Sequence, residues 1–180
     1  MAITRRNITK GFVILSTLLV VAPFSSLYKY LSVPVPIIKI KRQKIANSSE
    51  VAIGEALRFS FPTDDRPCVL IHLGPGNYKY GDYREGSETK TLETNEFTAY
   101  DGVCTHLGCP ANYKDSEKAL PCPCHGAKFS AIDGSVIEGP PTRGLPKIKL
   151  EIESNGDIYA TGYESGLPLY GKDNVIFEEE

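Results

Sequence analysis

From Gly11 to Tyr28 the chain runs GFVILSTLLVVAPFSSLY, 18 residues without a charge. A helix of roughly 20 apolar residues crosses the hydrocarbon core of a bilayer, and Lys29 can snorkel toward the headgroups so that the span continues to Leu31. The pattern predicts one N-terminal transmembrane helix over residues 11–31. A secretory signal peptide has a shorter apolar core and a small-residue cleavage site. The nearest such site here, Val20-Val21-Ala22, is followed at once by Pro23, so the span reads as an uncleaved signal anchor. A buried core helix is the competing reading, and the terminal position between basic flanks argues against it.

Beyond Glu50 the period of the apolar positions changes. Leu57-Arg58-Phe59-Ser60-Phe61, Cys68-Val69-Leu70-Ile71-His72-Leu73 and Phe97-Thr98-Ala99-Tyr100 are short and β-like, each ended by Pro, Gly or Asp. Ile148, Leu150 and Ile152 alternate with Lys147, Lys149 and Glu151; Asn155-Gly156 then separates them from Ile158-Tyr159-Ala160, which predicts a β-hairpin with a type I′ turn. No helical period of useful length follows the anchor. Residues 74–95, rich in Gly, Tyr and charge, read as a surface loop or insertion. The 16 Gly and 13 Pro favour the same all-β, loop-rich outcome. One domain over residues 50–180 is expected, joined to the anchor by a tether at 32–49. In that tether Val33-Pro34-Val35-Pro36 is stiff, and the basic residues after it would sit near lipid headgroups.

Charge divides the chain in the same place. All 22 Asp and Glu lie at or after Glu50, whereas eight of the 20 Lys and Arg precede Ile45, so residues 45–180 carry 12 basic against 22 acidic side chains. Such a domain repels nucleic-acid phosphate and attracts a basic protein partner, unless its acidity serves only solvation. Residues 1–10 include Thr4-Arg5-Arg6-Asn7-Ile8-Thr9-Lys10, which resembles a twin-arginine export signal. Export places the domain on the extracytoplasmic side of the cell membrane, periplasmic or external, with a single pass. A plain count of Lys29, Lys39, Lys41, Arg42 and Lys44 against Arg5, Arg6 and Lys10 points the other way, but that rule loses force for a large translocated domain.

The chemistry gathers in two boxes, Cys104-Thr-His106-Leu-Gly-Cys109 and Cys122-Pro-Cys124-His125-Gly126, which hold four of the five cysteines and two of the three histidines. Each can present a thiolate and an imidazole from one turn, and the neighbouring Gly and Pro suit a backbone that approaches a metal centre closely. Zinc competes for such ligands, but six are too many for one tetrahedral ion. Two cysteines and two histidines fit a 2Fe-2S cluster with sulfur on one iron and imidazole on the other, and the two remaining cysteines are then free to form a disulfide. Cys68, in an apolar strand, reads as a buried structural thiol, and His72 as a packed or surface histidine.

These boxes, with Phe129 and Gly134 after them, resemble the C-x-H-x-x-C and C-x-C-H-G boxes of Rieske iron-sulfur proteins. The resemblance implies that Cys104 and Cys122 bind one iron, that His106 and His125 bind the other and are the catalytic pair, and that Cys109 and Cys124 form a disulfide. It implies a Rieske-type antiparallel β-sandwich with an inserted cluster-binding subdomain at about 102–142. Gly139-Pro140-Pro141 resembles the proline loop that covers the cluster in respiratory members. The resemblance also implies that Leu107, Ala127, Phe129 and Pro140 stand where the potential is tuned. High-potential members carry Ser and Tyr where this chain has Ala127 and Phe129, and losing those two hydroxyl donors lowers the expected potential, as would suit a donor such as menaquinol.

The function expected is electron transfer as the redox subunit of a membrane-associated oxidoreductase, inactive without partner subunits. The preferred role is the quinol-oxidising Rieske subunit of a respiratory cytochrome bc-type complex, passing electrons to a cytochrome c-type haem. The alternative is the small subunit of an arsenite-oxidase-like complex with a molybdopterin catalytic subunit. Phe59-Ser-Phe-Pro62, Pro67 to Gly74, Phe129 and Gly166-Leu-Pro-Leu-Tyr-Gly171 resemble that family. A zinc-stabilised binding module is the remote third. A ring-hydroxylating oxygenase would need a mononuclear iron domain for which the chain is too short.

Overall fold

The computed structural model describes residues 5–31, 37–165 and 176–179, and falls into two units, residues 1–36 and 37–180. The expected Gly166–Gly171 motif and Val33–Pro36 lie outside the described residues. In the first unit a helix runs Arg5–Leu31. Thr9 Oγ1 donates back to Arg5 O at 3.0 Å and Thr17 Oγ1 to Val13 O at 2.8 Å, so these two hydroxyls are satisfied within the helix. Among the described residues no helix is long and apolar enough to cross a membrane. The anchor reading therefore rests on the sequence pattern.

The second unit is all-β. Its strands are β1 (Ile37–Ile40), β2 (Gln43–Asn47), β3 (Ala56–Ser60), β4 (Pro67–Leu73), β5 (Gly76–Tyr80), β6 (Glu88–Leu92) and β7 (Glu96–Asp101). There follow β8 (Ala119–Cys122), β9 (Ala127–Ser130), β10 (Val136–Glu138), β11 (Lys147–Ile152), β12 (Asp157–Ser165) and β13 (Ile176–Glu179). Six form one antiparallel sheet in the order β2-β12-β11-β7-β4-β3, and β10-β9-β8 form a second, also antiparallel. Strands β1 and β13 pair in parallel.

β4 shows why the large sheet forms. Val69, Ile71 and Leu73 join a core with Tyr78, Tyr100, Leu120, Phe129 and Val136, while Cys68 and Leu70 join another with Phe61, Ala99, Ile148 and Ile158. Its side chains alternate between two apolar layers, so the strand reads as a continuous hydrophobic run. Each large apolar side chain so buried contributes about 1.5–3 kcal/mol. His72 belongs to the same strand and is packed: its ring stacks on Phe97 at 4.0 Å, Nδ1 lies 2.7 Å from Val51 O, and Nε2 lies 2.7 Å from Asn95 Nδ2.

Three expectations are corrected. The tether does not extend to residue 49, because Gln43–Asn47 pairs along β12 and buries Ala46, while Ile40 is also buried. Arg42 and Lys44 bind Glu151, Glu153 and Asp157 rather than standing free for headgroups. Residues 74–95 form the β5–β6 hairpin, secured by fully buried Tyr78, whose hydroxyl donates to Gly74 O at 2.8 Å. The β11–β12 turn is not type I′, which needs positive φ at both central residues. Lys118 is the one non-glycine residue with positive φ among those described, so Asn155 stays on the ordinary side and Gly156 alone, at φ 87°, is left-handed. Asn155 Oδ1 instead accepts the Asp157 N–H at 2.9 Å, an Asx turn that keeps Asn155 there.

Candidate metal centre

The first box is a loop closed on itself. Val103 bridges to Pro110, the Cys104 N–H donates to Cys109 O at 2.8 Å, and the Gly108 N–H donates to Cys104 O at 2.9 Å. Gly108, at φ 80°, lets the chain reverse within so few residues. The second box is the β8–β9 turn. Cys122 pairs with Ala127, and Pro123-Cys124-His125-Gly126 spans the gap with Gly126 at φ 69°.

A disulfide joins the loops, Cys109 to Cys124 with an S–S distance of 2.04 Å. The sulfurs of Cys109, Cys122 and Cys124 lie within 4.8 Å of one another, but two of the three are spent on that bridge. Cys104 and Cys122 remain as buried free thiols, and Cys122 is among the neighbours that bear on the protonation of Cys104. His106 and His125 stand beside each other, ring centroids 4.8 Å apart and planes at 89°; His106 is half-buried and His125 exposed. The structure thus brings together all six residues expected at the site and separates them into a bridge, a thiol pair and an imidazole pair.

The donors fit an iron-sulfur centre. The backbone at His106 and Leu107 favours a negative Cys104 sulfur, drawing its thiol down. Burial nevertheless pushes the Cys104 thiol up, and neighbouring Cys122 pushes it further. A bound metal's positive charge is what would hold these sulfurs deprotonated. With the disulfide formed, two cysteines and two histidines remain, a number that would also satisfy zinc, so donor count alone does not choose the metal.

Of the expected tuning positions, Ala127 and Phe129 are fully buried, while Leu107 is 65% exposed and Pro140 is exposed. The sequence reading missed the supports. Thr105 Oγ1 donates to Arg143 O at 2.6 Å, tying the first loop to the chain after the proline loop. Asp101, buried beneath the first loop, accepts the Val103 N–H at 2.9 Å; burial pushes its carboxyl up to about 6 against the pull of that N–H, Arg66 and Arg143. Asp101 stands three residues before Cys104, and nothing in its sequence neighbourhood marks it as buried. Cys68 is buried as expected, with its thiol directed at Phe61 O and Arg66 O.

The Rieske [2Fe-2S] domain model matches residues 41–149, which contain every one of these groups. The chain belongs to the Rieske iron-sulfur family, and its cofactor is a 2Fe-2S cluster. It is 30% identical over 138 residues to the cytochrome b6-f complex iron-sulfur subunit of Chlorobaculum thiosulfatiphilum, covering 77% of this chain and 66% of that one. The cytochrome bc1 complex Rieske subunit of Corynebacterium glutamicum is 35% identical over 96 residues, 52% of this chain and 23% of that one. A protein of Haloferax mediterranei, described as a candidate Rieske subunit of a respiratory nitrate reductase, is 44% identical over 71 residues, 39% of this chain and 32% of that one. The chain thus spans between about a quarter and two thirds of the length of these relatives.

Proposed function

We propose that this chain is the electron-transfer subunit of a membrane-bound, quinol-oxidising complex of the cytochrome bc type. In this reading Cys104 and Cys122 hold one iron and His106 and His125 the other. The bound cluster supplies a one-electron couple. The observation that carries the reading is the paired imidazoles of His106 and His125 on the same two loops as two buried free thiols, with His125 open to solvent. An exposed ligand imidazole accepts a hydrogen bond from a quinol hydroxyl at its second ring nitrogen and takes the proton as the electron leaves the quinol. Loops fastened by the Cys109–Cys124 bridge and by Thr105 hold both rings in place and keep reorganisation small. Residues 11–31 serve as anchor and residues 1–10 as export signal, with the domain outside the cytoplasm and residues 32–36 as the link between helix and domain.

The test is an EPR-monitored redox titration, across pH, of the full chain purified in detergent with its bound partners. Expected are a reduced-state signal of a His-ligated 2Fe-2S centre, a potential that falls as pH rises, and a b-type haem in the complex. Zinc without iron overturns the ligand reading. A molybdenum cofactor without haem b favours the second reading, an arsenite-oxidase-like assembly, which the Haloferax relative's description supports by linking such a domain to a respiratory reductase.

A further inference from the structure

The β5–β6 hairpin has no part in the chemistry proposed above, yet its tip reaches the proline loop. Asp82 orders that tip: its carbonyl accepts the Glu85 N–H at 3.0 Å, and its carboxylate accepts the Arg84 N–H at 2.9 Å and the guanidinium at 2.8 and 2.6 Å. The Arg84 guanidinium lies 5.2 Å from the centroid of the Tyr83 ring. Three hydrogen bonds then leave the tip. The Gly81 N–H donates to Asp133 Oδ2 at 3.2 Å, the Tyr83 N–H to Val136 O at 3.0 Å, and the Tyr83 hydroxyl to Gly139 O at 2.9 Å.

Gly139 opens the Gly-Pro-Pro loop and is wedged on its other side. Its φ of 103° is left-handed, and a Cβ added there would lie 2.6 Å from Ala127 Cα and 3.0 Å from Ala127 N. Ala127 begins the strand that leaves the Cys122–Gly126 turn. The peptide before Pro140 is therefore held between a phenol hydroxyl and the backbone two residues beyond His125. Neither proline can donate a backbone hydrogen bond, so the loop depends on bonds made to its carbonyls.

We propose that Tyr83 is a positioning residue whose hydroxyl clasps the Gly139 carbonyl and holds the Gly139-Pro140-Pro141 loop against the Cys122–Ala127 turn, slowing the access of water and chelators to the metal ligands. The proposal rests on the assignment of Cys122 and His125 as ligands. Asp82 and Arg84 support the clasp by fixing the tip from which Tyr83 reaches.

The experiment compares the full chain with Tyr83→Phe, which removes only the hydroxyl, and Thr91→Ala, which removes a hydrogen bond to Asn77 elsewhere in the hairpin. Cluster loss to a chelator is followed by its visible absorbance, and hydrogen exchange is read at the Gly139 and Thr142 amides. Tyr83→Phe should speed both by about five-fold, the factor of one ordinary hydrogen bond, and shift the EPR line shape, while Thr91→Ala leaves all three unchanged. Equal effects of the two variants, or none from Tyr83→Phe, overturn the clasp. If the parent protein holds no 2Fe-2S cluster, the ligand reading fails by itself; exchange at Gly139 and Thr142 still decides the clasp, and unchanged exchange in Tyr83→Phe overturns it.

Discussion

Asp101 joins a buried carboxyl to the loop that carries Cys104. Because burial raises it to about 6 from 3.8, the folded state keeps this proton to higher pH than the unfolded chain does. Between those two values the folded form binds more protons, so stability is full below about pH 4 and falls as pH rises through 6. At about 1.4 kcal/mol per pH unit the loss is on the order of 3 kcal/mol. Asp115, Asp133 and Asp157 are shifted down, and their contribution is lost only at more acid pH. Thermal melts from pH 4 to 7 should show the slope in the parent and a flat profile in Asp101→Asn; equal slopes would remove Asp101 as its source. Potential is also set one residue at a time. Ala127→Ser and Phe129→Tyr restore hydroxyl donors at buried positions. One hydrogen bond favouring the reduced state by about 1.4 kcal/mol raises a one-electron potential by about 60 mV, and a redox titration showing no rise in either variant would contradict the tuning argument.

The elements make their own demands. β2 closes one edge of the six-stranded sheet, pairing Asn47 with Asp157 and Ala46 with Ile158. Asn47 also caps the short 3-10 turn at Ser48–Glu50, with Ser49 N–H on its Oδ1 and the Glu50 carboxylate on its own N–H. A chain begun at Glu50 would leave the β12 edge unpaired and uncover Ile158. It is expected to be poorly soluble or to melt at least about 5 °C below a chain begun at Ile37, since even 1 kcal/mol lowers the melting point of a domain this size by several degrees. Equal melting temperatures would show that β2 is dispensable. At the β9–β10 turn, Gly134 has φ 76°, and a Cβ there would lie 2.8 Å from Leu145 O and 2.9 Å from the Tyr100 ring. That close approach brings the chain after the proline loop back to the large sheet.

For the whole molecule the long-range field matters most. The ten excess acidic residues of positions 45–180 favour encounter with a basic electron acceptor, a rate that falls steeply with salt. Stopped-flow oxidation of the reduced protein by a basic c-type cytochrome should slow by about ten-fold between 0.05 and 0.5 M salt. An insensitive rate would assign the acidity to solvation alone.

The sequence by itself determined what is local. The two metal boxes are legible because ligand chemistry tolerates few residue types at few spacings, and β3, β4, β7 and the β11–β12 hairpin because alternation and turn residues act over a handful of positions. Tertiary structure alone decided the rest. Gln43–Asn47 is polar and basic, and becomes a strand only because β12 offers it an edge. Tyr83 and Thr105 act on carbonyls that folding brings near from 56 and 38 residues away. Contacts of that kind leave no periodic trace in the chain, since they depend on where the backbone returns and not on what stands beside them in sequence.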